Sequence, residues 1–129
     1  EFMDIKRRGS VQHLASRVVG KLADDRCAWD ALSALFPAIT ASGICKQKSI
    51  QYIYDTEPDN RGLYSGAALL ADSSGMLDAA LIIRSLFKEN EKYWLQAGAG
   101  IVKESRSERE FEETCEKLSS LSNYIVEAV

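Results

Sequence analysis

His13 is the only histidine in the chain, so a Ser-His-Asp or Cys-His catalytic apparatus must use it or do without. No stretch approaches the roughly 20 apolar residues that a membrane span needs. Nor is there a charged-then-apolar leader of secretory form. The three cysteines, Cys27, Cys45 and Cys115, lie far apart and form no C-x-x-C pair. That pattern speaks against a zinc site and a disulfide framework, and fits free thiols in a reducing cytoplasm. Basic charge is not concentrated anywhere. The net charge of −3 is weak and dispersed, which argues against a nucleic-acid partner. Internal repeats and low-complexity linkers are absent as well.

What is present suits a single globular unit. A length of 129 residues allows one domain with a sizeable core and falls short of two. The chain begins at Glu1-Phe2, as a piece of a longer protein or a processed product would. Residues 2–19 carry mixed β and polar character and read as extended structure. Asp24 and Asp25, as capping acids, precede a helical pattern through Cys27, Ala28, Ala31, Leu32, Leu35 and Phe36, which Pro37 stops. A short apolar passage then runs from Ala38 to a glycine turn at Gly43. A second helix is expected over 46–54, with Ile50, Ile53 and Tyr54 on one side, and residues 57–62 form a loop. Three strands follow, over 63–71, 76–87 and 93–102, joined by the short connections of an antiparallel meander. The last element is a helix from Ser107, where Ser107 and Glu110 have the spacing of a capping box. The order predicts an α+β fold.

A few residues break this pattern. Arg84 interrupts the apolar run Ala80 to Phe87, and a guanidinium inside a covered strand requires an anion. A structural ion pair satisfies that need, and so does a ligand carboxylate. Ala97-Gly98-Ala99-Gly100 places glycines where order and packing suffer, which marks either close helix packing or close approach of a ligand. It lacks the G-x-G-x-x-G form of a dinucleotide site. In the terminal helix, about 100° per residue puts Glu110, Glu113 and Lys117 in one narrow sector. Two carboxylates one turn apart can share a hard cation such as Mg²⁺. Equally, Glu110 can cap the helix while Glu113 pairs with Lys117.

Five segments, in order, carry a resemblance. They are Arg8 to Leu14 (RGSVQHL), Ile39 to Lys46 (ITASGICK), Arg61 to Ala67 (RGLYSGA), Ala97 to Val102 (AGAGIV) and Glu108 to Leu118 (EREFEETCEKL). Together they resemble the chorismate-utilising family of anthranilate, isochorismate and salicylate synthases, along essentially the whole chain. GSVQHL and LYSGA look like the salicylate-synthase branch that feeds siderophores, where other branches tend to show Tyr-Gly-Gly. Cys45 departs from the family pattern, which has proline before the lysine, and this puts the local turn in question.

The resemblance implies that residues 1–129 are the C-terminal part of one chorismate-binding domain, a large α/β sandwich of antiparallel strands with packed helices. It implies that Tyr64 and Arg84 hold a substrate carboxylate, that Gly98, Ala99 and Gly100 line the pocket, and that Lys117 meets the other carboxylate. Glu110 and Glu113 would be Mg²⁺ ligands, and His13 and Thr40 would line the site, with His13 as the catalytic candidate, acting on the enolpyruvyl side. The implied chemistry takes chorismate to isochorismate, then to salicylate and pyruvate. The general acid and base would come from the missing N-terminal part, as would the remaining metal ligands. The partners implied are therefore chorismate or isochorismate and that N-terminal part.

Overall fold

The computed structural model describes residues 2–8, 11–122 and 124–126; the side chains of Arg8, Val11 and His13 lie outside the described set. The elements run β1 (Asp4–Arg8), β2 (Val11–Ala15), α1 (Ala28–Leu35), α2 (Ile39–Ser42), α3 (Lys46–Thr56), β3 (Ala67–Ala71), β4 (Leu77–Leu81), β5 (Leu86–Glu89), β6 (Lys92–Leu95) and α4 (Ser107–Ser122). The fold is α+β. Among the described residues the strands form three separate antiparallel hairpins, β1–β2, β3–β4 and β5–β6.

Each hairpin is set by its turn. In β3–β4 the register runs from Ala67 opposite Leu81 to Ala71 opposite Leu77. The Asp72 carboxylate accepts from the Ser74 N–H at 2.8 Å, and Gly75 supplies the positive φ of +89° that closes the bend. Between β5 and β6 only Asn90 and Glu91 intervene, at φ +48° and +63°. Two consecutive left-handed residues match the right-handed twist of the flanking strands.

The helices follow the sequence pattern with changes at their ends. The acid that serves the start of α1 is Asp30, not Asp24 or Asp25: the Cys27 N–H donates to its carboxylate at 2.8 Å and holds it below the usual carboxylate range. An acid in the third helical position reaches back to the cap residue, which the two preceding aspartates cannot do. Helix α1 ends at Leu35, before the cis Phe36–Pro37 bond. The Lys46 ammonium then donates to the Leu35 carbonyl at 3.0 Å, satisfying a terminal acceptor of α1. The passage expected as merely apolar contains the single helical turn α2, which Gly43 closes at φ +92°. Cys45 stands before α3 at φ +59°. A proline, locked near −65°, cannot take that conformation, so the departure from the family pattern changes this turn.

Further expectations are corrected, among them the three-strand meander, since β4 and β5 do not pair. The strand expected over 76–87 is two strands, because the chain turns at Arg84 with φ +50°. The Ile83 N–H bonds to the Leu81 carbonyl and the Ser85 hydroxyl to the Ile83 carbonyl, each at 3.1 Å, and these local bonds replace the ladder. The strand expected over 93–102 stops at Leu95. Ser107 lies inside α4 and not at its cap, and the Glu110 N–H donates to the Arg106 carbonyl at 3.0 Å, so the capping box expected there does not form with Ser107 as cap.

Packing within this chain is sparse. Phe87, 7% exposed and stacked on Trp94 at 5.6 Å, is the buried hydrophobic side chain among the described residues. Leu70, Leu63, Ile44, Phe111 and Val18 are exposed. The accessible surface is 11133 Å². A compact globule of this mass would expose about 6,800 Å². The apolar run Ala80 to Phe87, expected to lie in a covered strand, thus finds no covering layer among the described residues. The purified chain is expected to bind a hydrophobic dye strongly and to self-associate in sedimentation. A dye-silent monomer would show that the exposed side chains close over one another in solution.

Candidate functional site

The segment that joins α3 to β3 is built around Arg61. Its Nε donates to the Glu57 carboxylate at 2.8 Å, and Nη2 donates to the second oxygen of the same group. Nη1 donates to the Ala41 carbonyl at 2.7 Å and to the Ser65 hydroxyl at 3.3 Å. The guanidinium carbon lies 5.8 Å from the Tyr64 ring centroid. These hydrogen bonds hold the Glu57 carboxyl below its ordinary range and push the Arg61 guanidinium above its own.

The turn itself is tight. The Tyr64 N–H bonds to the Arg61 carbonyl and the Gly66 N–H to the Leu63 carbonyl, both at 3.0 Å. Ser65 and Gly66 extend the β3–β4 ladder by pairing with Ile82 at 2.9 Å in both directions. A side chain on Gly66 would meet the Leu63 carbonyl oxygen at 2.9 Å, so glycine is required. Ser65 accepts a left-handed φ of +67°.

Two of the sequence-predicted site residues converge on a third, Gly98. The Tyr64 hydroxyl stands so close that a Cβ on Gly98 would lie 3.3 Å from it. From α4, the Lys117 ammonium donates to the Gly98 carbonyl at 2.9 Å and pairs with Glu113 at 2.7 Å. A turn before a sheet, a glycine-containing loop after β6 and the inner side of α4 therefore meet at one backbone carbonyl. Beside them is a cavity of about 720 Å³, lined by Arg61, Tyr64, Phe87, Trp94, Gln96 and Gly98 among others.

The remaining candidates are placed less closely. Arg84 is half-buried in the bend between β4 and β5. Ala99 and Gly100 continue the loop beyond Gly98. Thr40 lies exposed in α2, next to the Ala41 carbonyl that Arg61 holds. His13 sits opposite Lys6 in the first hairpin, and its side chain is outside the described residues. Glu110 and Glu113 are half-buried in successive turns of α4. No group of three His, Cys, Asp or Glu side chains suited to a metal ion occurs among the described residues. A hard divalent cation takes six or more oxygens, so these two carboxylates fit it as part of a ligand set and not as a complete one. In the sequence Arg61 stands out only as part of the RGLYSGA motif. Its signal was the i, i+4 spacing from Glu57, followed by a turn glycine.

The comparisons with known proteins agree in direction. A profile of the family described as chorismate binding enzyme matches residues 1–123. A salicylate synthase of Mycolicibacterium paratuberculosis is 52% identical over 126 residues, covering 98% of this chain and 28% of that protein. An anthranilate synthase component 1 of Synechocystis is 41% identical over 126 residues, 94% of this chain and 25% of that one. Among solved structures, anthranilate synthase component I of Streptococcus pneumoniae superposes with a TM-score of 0.88 at 38% identity, over 95% of this chain and 28% of that chain. The chain thus spans about a quarter of the length of these relatives.

The Glu57–Arg61 pair sets a pH dependence. The folded carboxyl titrates below its unfolded value, so its contribution is fully present above the ordinary glutamate pKa and is lost as pH falls through the lowered one. Glu57→Gln is expected to flatten the acid limb of a plot of melting temperature against pH. Superimposable acid limbs for the two proteins would contradict the pairing.

Proposed function

The chain belongs to the family of chorismate-binding enzymes, and on that premise we propose that it is part of a magnesium-dependent salicylate synthase, which converts chorismate through isochorismate to salicylate and pyruvate. The observation that carries the reading is the meeting of Tyr64, Lys117 and Gly98 at one point. A hydroxyl donor, an ammonium and an open backbone suit a dianionic substrate. The branch within the family is supported by the 52% identity to a salicylate synthase and by Ser65. A serine at φ +67° is strained where glycine is not, and here its hydroxyl accepts a hydrogen bond from Arg61 that glycine could not receive. A second reading, an anthranilate synthase component, has its own support in the Synechocystis and Streptococcus relatives.

In the proposed site Tyr64 and Arg84 hold one substrate carboxylate and Lys117 the other, while Gly98, Ala99 and Gly100 allow the ring to approach the backbone. By the same reading Thr40 and His13 belong to the active site, with His13 acting on the enolpyruvyl side. Glu110 and Glu113 would hold Mg²⁺ together with ligands from outside this chain; the bound ion would neutralise a carboxylate and stabilise the charge that develops. Without it, two glutamates would repel a dianion. Lys117 and Glu113 neutralise each other beforehand, so both charges are kept in position. Water adds at C2 as the C4 hydroxyl departs, and pyruvate is then eliminated. This requires a general base on one face and a general acid on the other, and we assign neither to residues of this chain. The chain alone is therefore inactive, and its service to siderophore synthesis depends on the remainder of the enzyme.

The metal assignment is the part most open to measurement. Glu110→Gln and Glu113→Gln, each made in the complete enzyme, are expected to abolish salicylate formation across a Mg²⁺ titration while leaving the melting temperature close to native. The paired Lys117 contact accounts for only about 0.5 kcal/mol of stability. An unchanged Mg²⁺ dependence in both variants would remove these glutamates from the metal site.

A further inference from the structure

We infer that Arg61 is a positioning residue for Tyr64, an inference that rests on the reading of Tyr64 as a substrate-binding group. The Arg61 side chain is 24% exposed, and its donors are directed to its own chain. Nε and Nη2 hold the Glu57 carboxylate, and Nη1 holds the Ala41 carbonyl and the Ser65 hydroxyl. Four of its five N–H groups are thus spent on the chain itself, so the guanidinium offers no free fork to a substrate carboxylate. It lies instead against the Tyr64 ring, whose hydroxyl stands at Gly98. The fork therefore fixes the ring from one side while the hydroxyl stands at Gly98, whose carbonyl Lys117 holds. Ala41 follows Thr40, so the same group also sets α2 against the turn that carries Tyr64.

Lysine cannot substitute. A single ammonium on a flexible stem does not hold a carboxylate, a carbonyl and a hydroxyl in one plane. Without the fork Tyr64 keeps its place in the chain but loses its fixed direction. The defect then falls on substrate binding more than on the rate of the chemical steps.

The test is a double-mutant cycle in the complete enzyme, with Arg61→Lys and Tyr64→Phe made singly and together and KM for chorismate and kcat measured for each. Arg61→Lys is expected to raise KM about tenfold, the equivalent of one hydrogen bond misdirected, with little change in kcat. In the Tyr64→Phe background the same substitution is expected to change KM less than about twofold, because the hydroxyl it positions is gone. Equal fold-changes in the two backgrounds overturn the inference, since a merely structural arginine acts on every substrate contact alike. If Arg61→Lys does not fold, Glu57→Gln takes its place in the cycle, and the same comparison decides. A Tyr64→Phe variant with native KM would instead overturn the reading of Tyr64 as a substrate ligand, and the positioning role with it.

Discussion

The planar fork of Arg61 is the constraint on which the rest of the site depends. Five N–H donors in fixed geometry let one side chain satisfy a carboxylate, a main-chain carbonyl and a hydroxyl together. Those acceptors belong to the end of α3, to α2 and to the turn before β3. Among the described residues, no comparable apolar core ties these segments together, so their relative placement rests on polar contacts. An arginine suits this use because it keeps its charge whatever its burial, and Glu57 balances it within the same loop.

From that anchor the site extends outward in steps. Tyr64 is carried by the turn that Arg61 braces, and Gly66 gives the turn its closeness. The turn pairs with Ile82, which sets it against the end of β4 and the bend at Arg84. Gly98 then receives Tyr64 on one side and Lys117 on the other. Each step is local or involves a single long-range contact, which explains how an orderly arrangement of polar groups coexists with an accessible surface far above that of a globule. The hairpins are specified by their turns. Their apolar side chains are largely exposed among the described residues.

Much of this was legible in the sequence because the signals were local. The Asp72–Gly75 turn, the stop at Pro37 and the start of α4 near Ser107 each follow from residues adjacent in the chain. The family was legible from five motifs in order. Other features were hidden because local hydrogen bonds outweighed propensity. Ile82-Ile83-Arg84-Ser85 reads as strand, yet Ser85 and Ile83 bond within the segment and Arg84 turns left-handed. The short connection expected before the last strand is the two-residue turn Asn90-Glu91. Asp30 was hidden by the two aspartates before it. Of the contacts of Arg61, the sequence shows only the i, i+4 spacing from Glu57; its bond to Ala41, 20 positions away, is beyond the reach of spacing arguments. The convergence on Gly98 was anticipated only through the family resemblance, since no periodicity relates Tyr64 to Lys117.

We propose that the complete enzyme makes salicylate and not anthranilate. The two products differ in what must enter the ring, since anthranilate carries a nitrogen that chorismate lacks. The most direct measurement is mass spectrometry of the products formed from chorismate and Mg²⁺ by the complete enzyme, with and without an ammonium salt. Salicylate and pyruvate in equal amounts, unaffected by ammonium, are expected. Anthranilate that forms only when ammonium is supplied would contradict the claim.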